Sequence, residues 1–337
     1  MLRRSFLAGS TGLLSTSLAP NMLRAQELLP LSVQLAWIAN VQYGDIWIAL
    51  ERELFAEKGL DISISAGGPN APNALTMVSA GTADIGYTNW LPFLDAVAQG
   101  NDFVLIGATF QNSPLGIISM AGNPILTAED IPGKRILLQG SSEETAIRAT
   151  LALSGIEGDW SLVPAGFSPE PLVAGDGDGY TAFATNQTIT LEQMGLERDK
   201  DFFFRSFDEL GFPSYAGTIF VERAFLEANR PALVRYLAAL MQAWNISHSE
   251  PTLAADLAVN KYGRDYGLNM AQQTRQNELQ FDFVWPGGDM ESTIFELDME
   301  KMAGVMMDAA TATGRTNLPA IDRIADPSLV EEARAML

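Results

Sequence analysis

A strand, helix, strand pattern over residues 61–90 limits the possible folds more than any other stretch of the chain. Residues 61–65 alternate polar and apolar side chains and include β-branched ones, as a short strand does. Residues 73–80 place apolar side chains on one helical face, and Gly81 follows where a left-handed residue would end the helix. Residues 85–87 then predict another strand. This order is typical of a parallel βαβ unit.

The loop inside this unit is a candidate ligand contact. It reads Gly-Gly-Pro-Asn over 67–70, so its backbone can approach a bound molecule closely, and the following helix offers free N–H groups. The alternative is an ordinary strand-to-helix turn. The candidate contacts are Gly68, Pro69 and Asn70.

The same alternation continues on both sides of the unit. Strand patterns at 31–35 and 103–110 and helical patterns at 46–58 and 91–99 complete a β-α-β-α-β-α-β series. The series predicts a parallel sheet flanked by helices, with ligands bound beyond the carboxyl ends of the strands. Residues that fall there are Trp37, Gly68, Asn89 and Gln111.

A second α/β unit follows, and the rest of the chain is largely helical. Its strand patterns lie at 135–138, 160–163, 180–184 and 202–206. Later helical patterns lie at 231–244, 253–262, 271–280 and 292–313. The chain crosses between the units near 112–118 and 211–217, which predicts a hinge and a cleft. We therefore predict an α/β protein of two domains with a helical C-terminal portion. Domain 1 contains 26–115 and 215–337, and domain 2 contains 116–214.

Composition excludes several classes of function. The chain has 337 residues, enough for two separate cores, and its net charge of −20 argues against nucleic acid or anionic membranes as partners. Without cysteine it has no disulfides, thiolate metal sites, cysteine nucleophile or lipidated cysteine. Its single histidine, His248, cannot form a histidine cluster, and we expect it near a helix C-terminus, where a cation is favourable.

Residues 1–25 have the features of an export signal. Arg3 and Arg4 precede a mildly apolar segment over 6–19 that is too short to span a bilayer, and Ala25 is a plausible cleavage site. The paired arginines resemble a twin-arginine signal, and a general secretory signal is the alternative. We expect a mature periplasmic protein that begins near Gln26 and is not a lipoprotein.

Several short motifs follow one another in a fixed order over residues 31–245. One is Trp-Ile-Ala-Asn-Val-Gln-Tyr at 37–43; the others lie at 55–61, 67–69, 79–86, 111–114, 129–135, 179–180, 185–187 and 215–218. Together they resemble the pyrimidine-precursor-binding family of periplasmic solute-binding proteins, within the nitrate/taurine/sulfonate-type group that serves ABC importers. The resemblance implies a two-domain periplasmic-binding (type II) fold that closes on a small molecule. It also implies a monomer that delivers its ligand to a permease and an ATPase subunit.

Aromatic and amide side chains at the predicted cleft suit a planar nitrogen heterocycle. Trp37, Tyr43 and Trp90 offer flat π faces, although aromatic residues often belong to the core instead. Amides match the donors and acceptors on heterocycle edges, although asparagine is also common in turns. The amides in question are Asn40, Asn70, Asn89, Asn186 and Gln187.

A pair of carboxylates begins the helix of the second unit. Glu143 is predicted to accept hydrogen bonds from an amino-substituted or cationic ring, and stabilising the helix N-terminus is its alternative role. Ser142, just before it, is a further candidate contact. A carboxylate here would repel nitrate and sulfonate. Arg148 is expected to pair with Glu144 one helical turn away rather than clamp an anion.

These residues favour binding over catalysis. Relatives that synthesise the thiamine pyrimidine use histidine and a cysteine-rich iron site, and related desulfinases use a cysteine, so this chain lacks the residues for either chemistry. No Gly-x-Ser-x-Gly turn is present. We expect a capture protein, without cofactor or metal, for a thiamine-pyrimidine precursor of the hydroxymethyl- or formylaminopyrimidine type. Riboflavin-type, nitrate- or sulfonate-type ligands, and a role as a sensor partner, are the alternatives.

Overall fold

The computed structural model describes residues 28–68, 71–139, 141–287 and 294–337, without the side chains of residues 141 and 142. The predicted export signal, 1–25, lies outside this part of the chain. The described residues form ten strands: β1 (Leu29–Gln34), β2 (Leu60–Ser65), β3 (Ile85–Thr88), β4 (Phe103–Phe110), β5 (Leu115–Met120), β6 (Arg135–Leu138), β7 (Ser161–Pro164), β8 (Gly179–Phe183), β9 (Phe202–Ser206) and β10 (Ala216–Glu222).

The strands make two five-stranded sheets of matching topology. The order is β2-β1-β3-β10-β4 in the first sheet and β7-β6-β8-β5-β9 in the second. In the first, β1 pairs in parallel with β2 and β3, and β10 runs antiparallel to β3 and β4. In the second, β5 runs antiparallel to β8 and β9. The predicted α/β class and two-unit architecture are confirmed.

The prediction of a purely parallel first sheet is wrong at one strand. β10 returns from the second sheet and inserts between β3 and β4, pairing Thr218 with Thr88 on one side and with Ala108 on the other. Residues 216–221 are all buried, as expected for a central strand covered on both faces. A pairing partner so far away in sequence leaves no local pattern in the chain.

The helices cover both faces of the sheets. Up to the second crossing of the chain they are α1 (Gly44–Glu51), α2 (Leu54–Glu57), α3 (Ala74–Ser79), α4 (Trp90–Ala98), α5 (Ser141–Leu153), α6 (Glu170–Ala174) and α7 (Gln187–Gln193). After it they are α8 (Arg223–Ser249), α9 (Pro251–Leu257), α10 (Met270–Val284), α11 (Met299–Lys301), α12 (Met307–Ala312), α13 (Ile321–Ile324) and α14 (Ser328–Arg334). In this described part of the chain, no helix is both long and apolar enough to cross a bilayer.

Two predicted helices are interrupted. The pattern at 46–58 forms α1 and α2, separated at Glu53, whose backbone is left-handed (φ 57°). After this break Phe55 is buried and stacks on Tyr236. In the described part of the pattern at 292–313, residues 294–298 are not helical and a helix begins at Met299, where the Asp298 side chain accepts the Glu300 and Lys301 N–H groups and caps the first turn.

Each sheet and the helices packed on it form one lobe, called lobe 1 for the first sheet and lobe 2 for the second. The chain passes from lobe 1 to lobe 2 at 111–114 and returns at 207–215. The Ser113 N–H donates to the Ser214 carbonyl over 3.0 Å, so the two crossings lie side by side. α12 also touches both lobes, since Ala310 packs in the lobe 1 core and Ala309 in that of lobe 2. The predicted domain limits stay a prediction.

Candidate functional site

A cavity of about 300 Å³ lies between the lobes, at the carboxyl ends of their parallel strands. Both lobes contribute aromatic side chains to it: Trp37, Phe110, Phe167, Phe183, Phe207, Phe212 and Tyr215. Both also contribute polar side chains: Asn40, Gln42, Asn89, Gln139, Glu143, Asn186, Gln187 and Gln276. An apolar lining with a few convergent polar groups is the usual composition of a small-molecule site.

A second, larger groove of about 760 Å³ lies on the outer side of α3 and α4. It is open to solvent and carries an ion pair between Arg315 and Asp95, 2.6 Å apart. Thr145 is the one residue of α5 among the described residues that line this groove. We take the interlobe cavity as the candidate site because aromatic and amide side chains of both lobes converge there.

The rings of Trp37 and Phe167 meet at the interlobe cavity, which both residues line. Their ring centroids are 6.1 Å apart at an interplanar angle of 63°, an edge-on contact between the lobes. Trp37 is held through its backbone, since its N–H donates to the Tyr43 hydroxyl (3.0 Å) and its carbonyl accepts the Gly67 N–H (2.8 Å). Among the described residues, no hydrogen bond involves its ring, which lines the cavity.

A hydrogen bond from β8 holds the loop that carries Phe167. The Tyr180 hydroxyl, raised in pKa to about 12 by burial, donates to the Gly166 carbonyl over 2.7 Å. Phe167 itself is 61% exposed, which is unusual for so large an apolar side chain. Its position just past the end of β7 satisfies the strand-end rule that selected Trp37, so the sequence carried a signal for it.

Two of the three predicted stacking residues do not line the cavity. Tyr43 is 2% exposed, and its hydroxyl positions the Trp37 backbone. Trp90 is 1% exposed and stacks on Phe93 inside lobe 1, with centroids 6.3 Å apart. Both side chains therefore belong to the hydrophobic core, which was the alternative position considered for the aromatic residues.

Gly67, Gly68 and Gln111 are not among the residues that line the cavity. A Cβ at Gly67 would come within 2.5 Å of the Leu35 carbonyl oxygen, so this glycine serves the packing of the loop on β1. Gly68 has φ 129° and faces Ile38. Gln111 is buried at the crossing, where its amide donates to the Ala108 and Glu296 carbonyls. Pro69, Asn70 and the Ser142 side chain lie outside the described residues.

Four predicted amides do line the cavity, and each oxygen already accepts a hydrogen bond. The Gln187 oxygen accepts the Phe183 N–H (2.9 Å). Asn40 caps the 3₁₀ turn Val41–Tyr43 and accepts the Gln42 N–H (3.0 Å). Asn89 accepts the Gly217 N–H (3.1 Å), and Asn186 accepts from the Gln272 amide (3.1 Å). These residues therefore have both of the roles considered for them: their oxygens accept local hydrogen bonds, and their side chains line the cavity.

Glu143 lies at the start of α5 and is the one charged side chain among the described cavity residues. Its neighbour Glu144 pairs with Arg148 at 2.7 Å, which confirms the predicted i,i+4 pair. No lysine, arginine or histidine lies among the cavity-lining side chains that the structure describes. The undescribed internal segments 69–70, 140 and 288–293 contain none in sequence. An anionic ligand would thus meet the Glu143 carboxylate and, among the described lining residues, no balancing cation.

His248 takes no part in the site. It lies in the last turn of α8, as expected, with its ring edge-on to Phe281 and Trp285 at 5.3 and 5.6 Å. Among the described residues, no group of three or more histidine, aspartate or glutamate side chains could hold a metal ion.

Sequence reasoning missed the contribution of α10 to the cavity lining. Gln276 comes from α10, more than 50 residues after the last strand in the sequence. A signal existed, because the amides at Gln273, Gln276, Asn277 and Gln280 recur at helical spacing and mark a polar helix face. The structure buries all four against the Val41–Tyr43 turn and α9.

Known proteins resemble this chain in sequence at low identity. It is 25% identical over 167 residues to 4-amino-5-hydroxymethyl-2-methylpyrimidine phosphate synthase of Schizosaccharomyces pombe, a match that spans 49% of this chain and only 48% of the synthase. It is 23% identical over 272 residues to the riboflavin-binding protein RibY of Chloroflexus aurantiacus, spanning 78% of this chain and 75% of RibY.

Solved structures place the fold. The periplasmic aliphatic sulphonate binding protein SsuA of Escherichia coli superposes with a TM-score of 0.66 at 18% identity, covering 89% of this chain and 92% of SsuA. The two lobes are therefore those of a periplasmic-binding-protein fold, as predicted. The sequence profile described as "NMT1/THI5 like" matches residues 40–254, well over half of the chain. The protein belongs to the NMT1/THI5-like family.

Proposed function

We propose that this protein is the periplasmic capture component of an ABC importer for a small, uncharged or amine-bearing nitrogen heterocycle, of the thiamine-pyrimidine-precursor type. The observation that carries the proposal is the composition of the interlobe cavity. Amides and aromatic rings surround it, Glu143 supplies a single negative charge, and no described lining residue is cationic. Such a site suits a flat ring with hydrogen-bonding edges.

The same composition argues against a sulphonate, the ligand named for the structural neighbour SsuA. A phosphate or sulfonate is usually held by arginine, lysine or a cluster of N–H donors, and a carboxylate beside it is unfavourable. We therefore propose that the ligand carries no phosphate or sulfonate group. The cavity of about 300 Å³ is at the small end for ligand sites, which favours a single ring over a flavin with its sugar chain.

Binding without chemistry also agrees with the reactive side chains of the chain. It has no cysteine, and its one histidine packs on Phe281 and Trp285 at the far end of α8. These features support a binding protein over a synthase. An importer's capture protein acts in the periplasm and delivers ligand to a permease, which accords with the export signal expected at 1–25.

A thermal-shift panel on refolded, ligand-free protein tests the proposal. 4-Amino-5-hydroxymethyl-2-methylpyrimidine is expected to raise the melting temperature, because a ligand at 100 times its Kd stabilises the native state by about 2.7 kcal/mol. Its phosphate ester, taurine and nitrate are expected to have no effect at equal concentration. A rise in melting temperature with riboflavin alone would show that the ligand is a flavin and not a pyrimidine. A rise with the sulfonate taurine alone would contradict the proposal.

Phe167 gives a second prediction for this site. Phe167→Ala is expected to weaken pyrimidine binding roughly tenfold, the loss of one aromatic contact of about 1.5 kcal/mol. The melting temperature of the free protein should stay within a degree or two, because this ring is largely exposed. Leu162→Ala, an exposed apolar change on β7, is the matched control and should leave affinity unchanged. Equal affinity of Phe167→Ala and the control would remove Phe167 from the site.

A further inference from the structure

A single backbone N–H sets the orientation of a chain of amides beside the cavity. The Val41 N–H donates to the Gln273 side-chain oxygen over 2.8 Å, and both residues are buried. A backbone N–H can only donate, so Oε1 of Gln273 must be the accepting atom. The Gln273 NH₂ group therefore points away from Val41.

That NH₂ group orients two further glutamines. It donates to Oε1 of Gln276 (3.2 Å) and to Oε1 of Gln272. Gln272 in turn donates through Nε2 to Oδ1 of Asn186 in lobe 2 (3.1 Å). The oxygens of both cavity-lining residues, Gln276 and Asn186, are thereby occupied. Within the described parts of the chain, no hydrogen bond involves their NH₂ groups.

Two more cavity amides reach the same orientation independently. The oxygens of Asn40 and Asn89 accept backbone N–H groups, from Gln42 and Gly217 respectively, so these side chains also present NH₂. Four amides from separate segments thus offer donors to one cavity. Glu143 places a carboxylate of lobe 2 on the same cavity.

We propose that Gln276 is a specificity-determining residue that donates to a ring nitrogen, with Gln273 as the residue that positions it. Gln276 is suited to this because it is 4% exposed, lines the cavity and has its oxygen occupied by a neighbour whose own orientation is fixed. The donor-rich wall and Glu143 together select a ligand with a ring acceptor next to an amine, the edge of an aminopyrimidine. This inference rests on the proposed function and extends it to the atoms recognised.

Comparing two ligands measures the contribution of the ring nitrogens to binding. 4-Amino-5-hydroxymethyl-2-methylpyrimidine and 2-amino-4-methylbenzyl alcohol have the same shape and substituents, but the second has no ring nitrogen. Titration calorimetry of the wild-type protein should show a clear preference for the pyrimidine. Gln276→Met should weaken the pyrimidine roughly tenfold and leave the carbocycle unchanged, because a buried hydrogen bond is lost with one ligand only.

Gln273→Glu tests the positioning role. A carboxylate at 273 still accepts the Val41 N–H but cannot donate to Gln276, so the Gln276 amide loses its fixed orientation. We expect the preference for the pyrimidine over the carbocycle to fall as it does in Gln276→Met. A purely structural role would lower the melting temperature and leave this preference intact. Gln193→Met, at an exposed position of α7, is the matched control and should match the wild type.

The outcomes separate the inference from the proposed function. Wild-type binding of the pyrimidine with an unchanged preference in Gln276→Met would overturn the inference and leave the function standing. Wild-type protein that binds neither compound would overturn both.

Discussion

Replacing Trp37 with alanine is expected to weaken aminopyrimidine binding by roughly 30- to 700-fold, equivalent to about 2–4 kcal/mol for a central aromatic contact. The indole lines the cavity and contacts Phe167 edge-on. The fold should survive, because both structural hydrogen bonds of Trp37 use its backbone N–H and carbonyl. Titration calorimetry measures the loss of affinity, and an unchanged melting temperature shows that the variant is folded.

Trp90 provides the matched control for this change. It also follows a strand end, but its ring is packed between Phe93 and the α12 side of lobe 1. Trp90→Ala should therefore destabilise the protein by about 3–5 kcal/mol, while the fraction that remains folded binds with unchanged affinity. Affinity within twofold of wild type for Trp37→Ala, or a selective affinity loss for Trp90→Ala, would contradict the assignment.

Removing the Asp45 carboxylate is expected to make the protein more stable above pH 7. Asp45 is 2% exposed in the first turn of α1, and burial raises its pKa from 3.8 to about 7 even though its own and the Ile46 N–H groups partly offset the shift. Within the described residues, Oδ2 has no hydrogen-bond partner. The nearby Tyr87 and Tyr236 hydroxyls are hydrogen-bonded to each other at 3.0 Å. Burial raises the pKa values of both, and the Asp45 charge raises them further.

The sign of the pH dependence follows from which state holds the proton. Between about pH 4 and pH 7 the folded protein keeps Asp45 protonated, whereas the unfolded chain releases the proton. Stability therefore falls as pH rises through this window, by about 4 kcal/mol in total. Asp45→Asn is neutral at every pH and should not show this loss.

Urea unfolding of the wild type and Asp45→Asn at pH 4.5 and pH 8 measures the effect. The difference between the two proteins should be small at pH 4.5 and reach about 4 kcal/mol in favour of the variant at pH 8. Taking the difference removes the contributions of carboxyl groups with lowered pKa values, such as Asp130, Asp178 and Asp326. A difference that does not change with pH would show that Asp45 is ionised in the folded state.

Local sequence patterns predicted most of the strands but few of the pairings between strands in the two sheets. β4 and β9 match their predicted limits because apolar runs bounded by turn residues are a local signal. The insertion of β10 between β3 and β4 depends on a contact between residues more than 100 positions apart, which no window of the sequence contains. The short helix α7 was missed for the opposite reason, since its threonines are weak helix formers and tertiary burial holds it.

The site residues that follow strand ends could be predicted from the sequence, and the residue that a distant helix supplies could not. Trp37 and Asn89 were found by the strand-end rule, and both line the cavity. The rule could not separate Trp37 from Trp90, although Trp90, Phe93 and Leu94 recur at the spacing of a buried helix face. Gln276 reaches the cavity only through the packing of α10, so its position could not be read from its own surroundings in the sequence.

The central claim is an interlobe site for a neutral heterocycle, without a cation for an acidic group. Calorimetric titration of ligand-free protein with 4-amino-5-hydroxymethyl-2-methylpyrimidine and with its phosphate ester tests this claim most directly. The unphosphorylated pyrimidine is expected to bind at one site per chain and to be recovered unchanged, with the phosphate ester at least roughly a hundredfold weaker, as expected for an unpaired buried charge. Tighter binding of the phosphate ester, or no binding of the pyrimidine, would contradict the account.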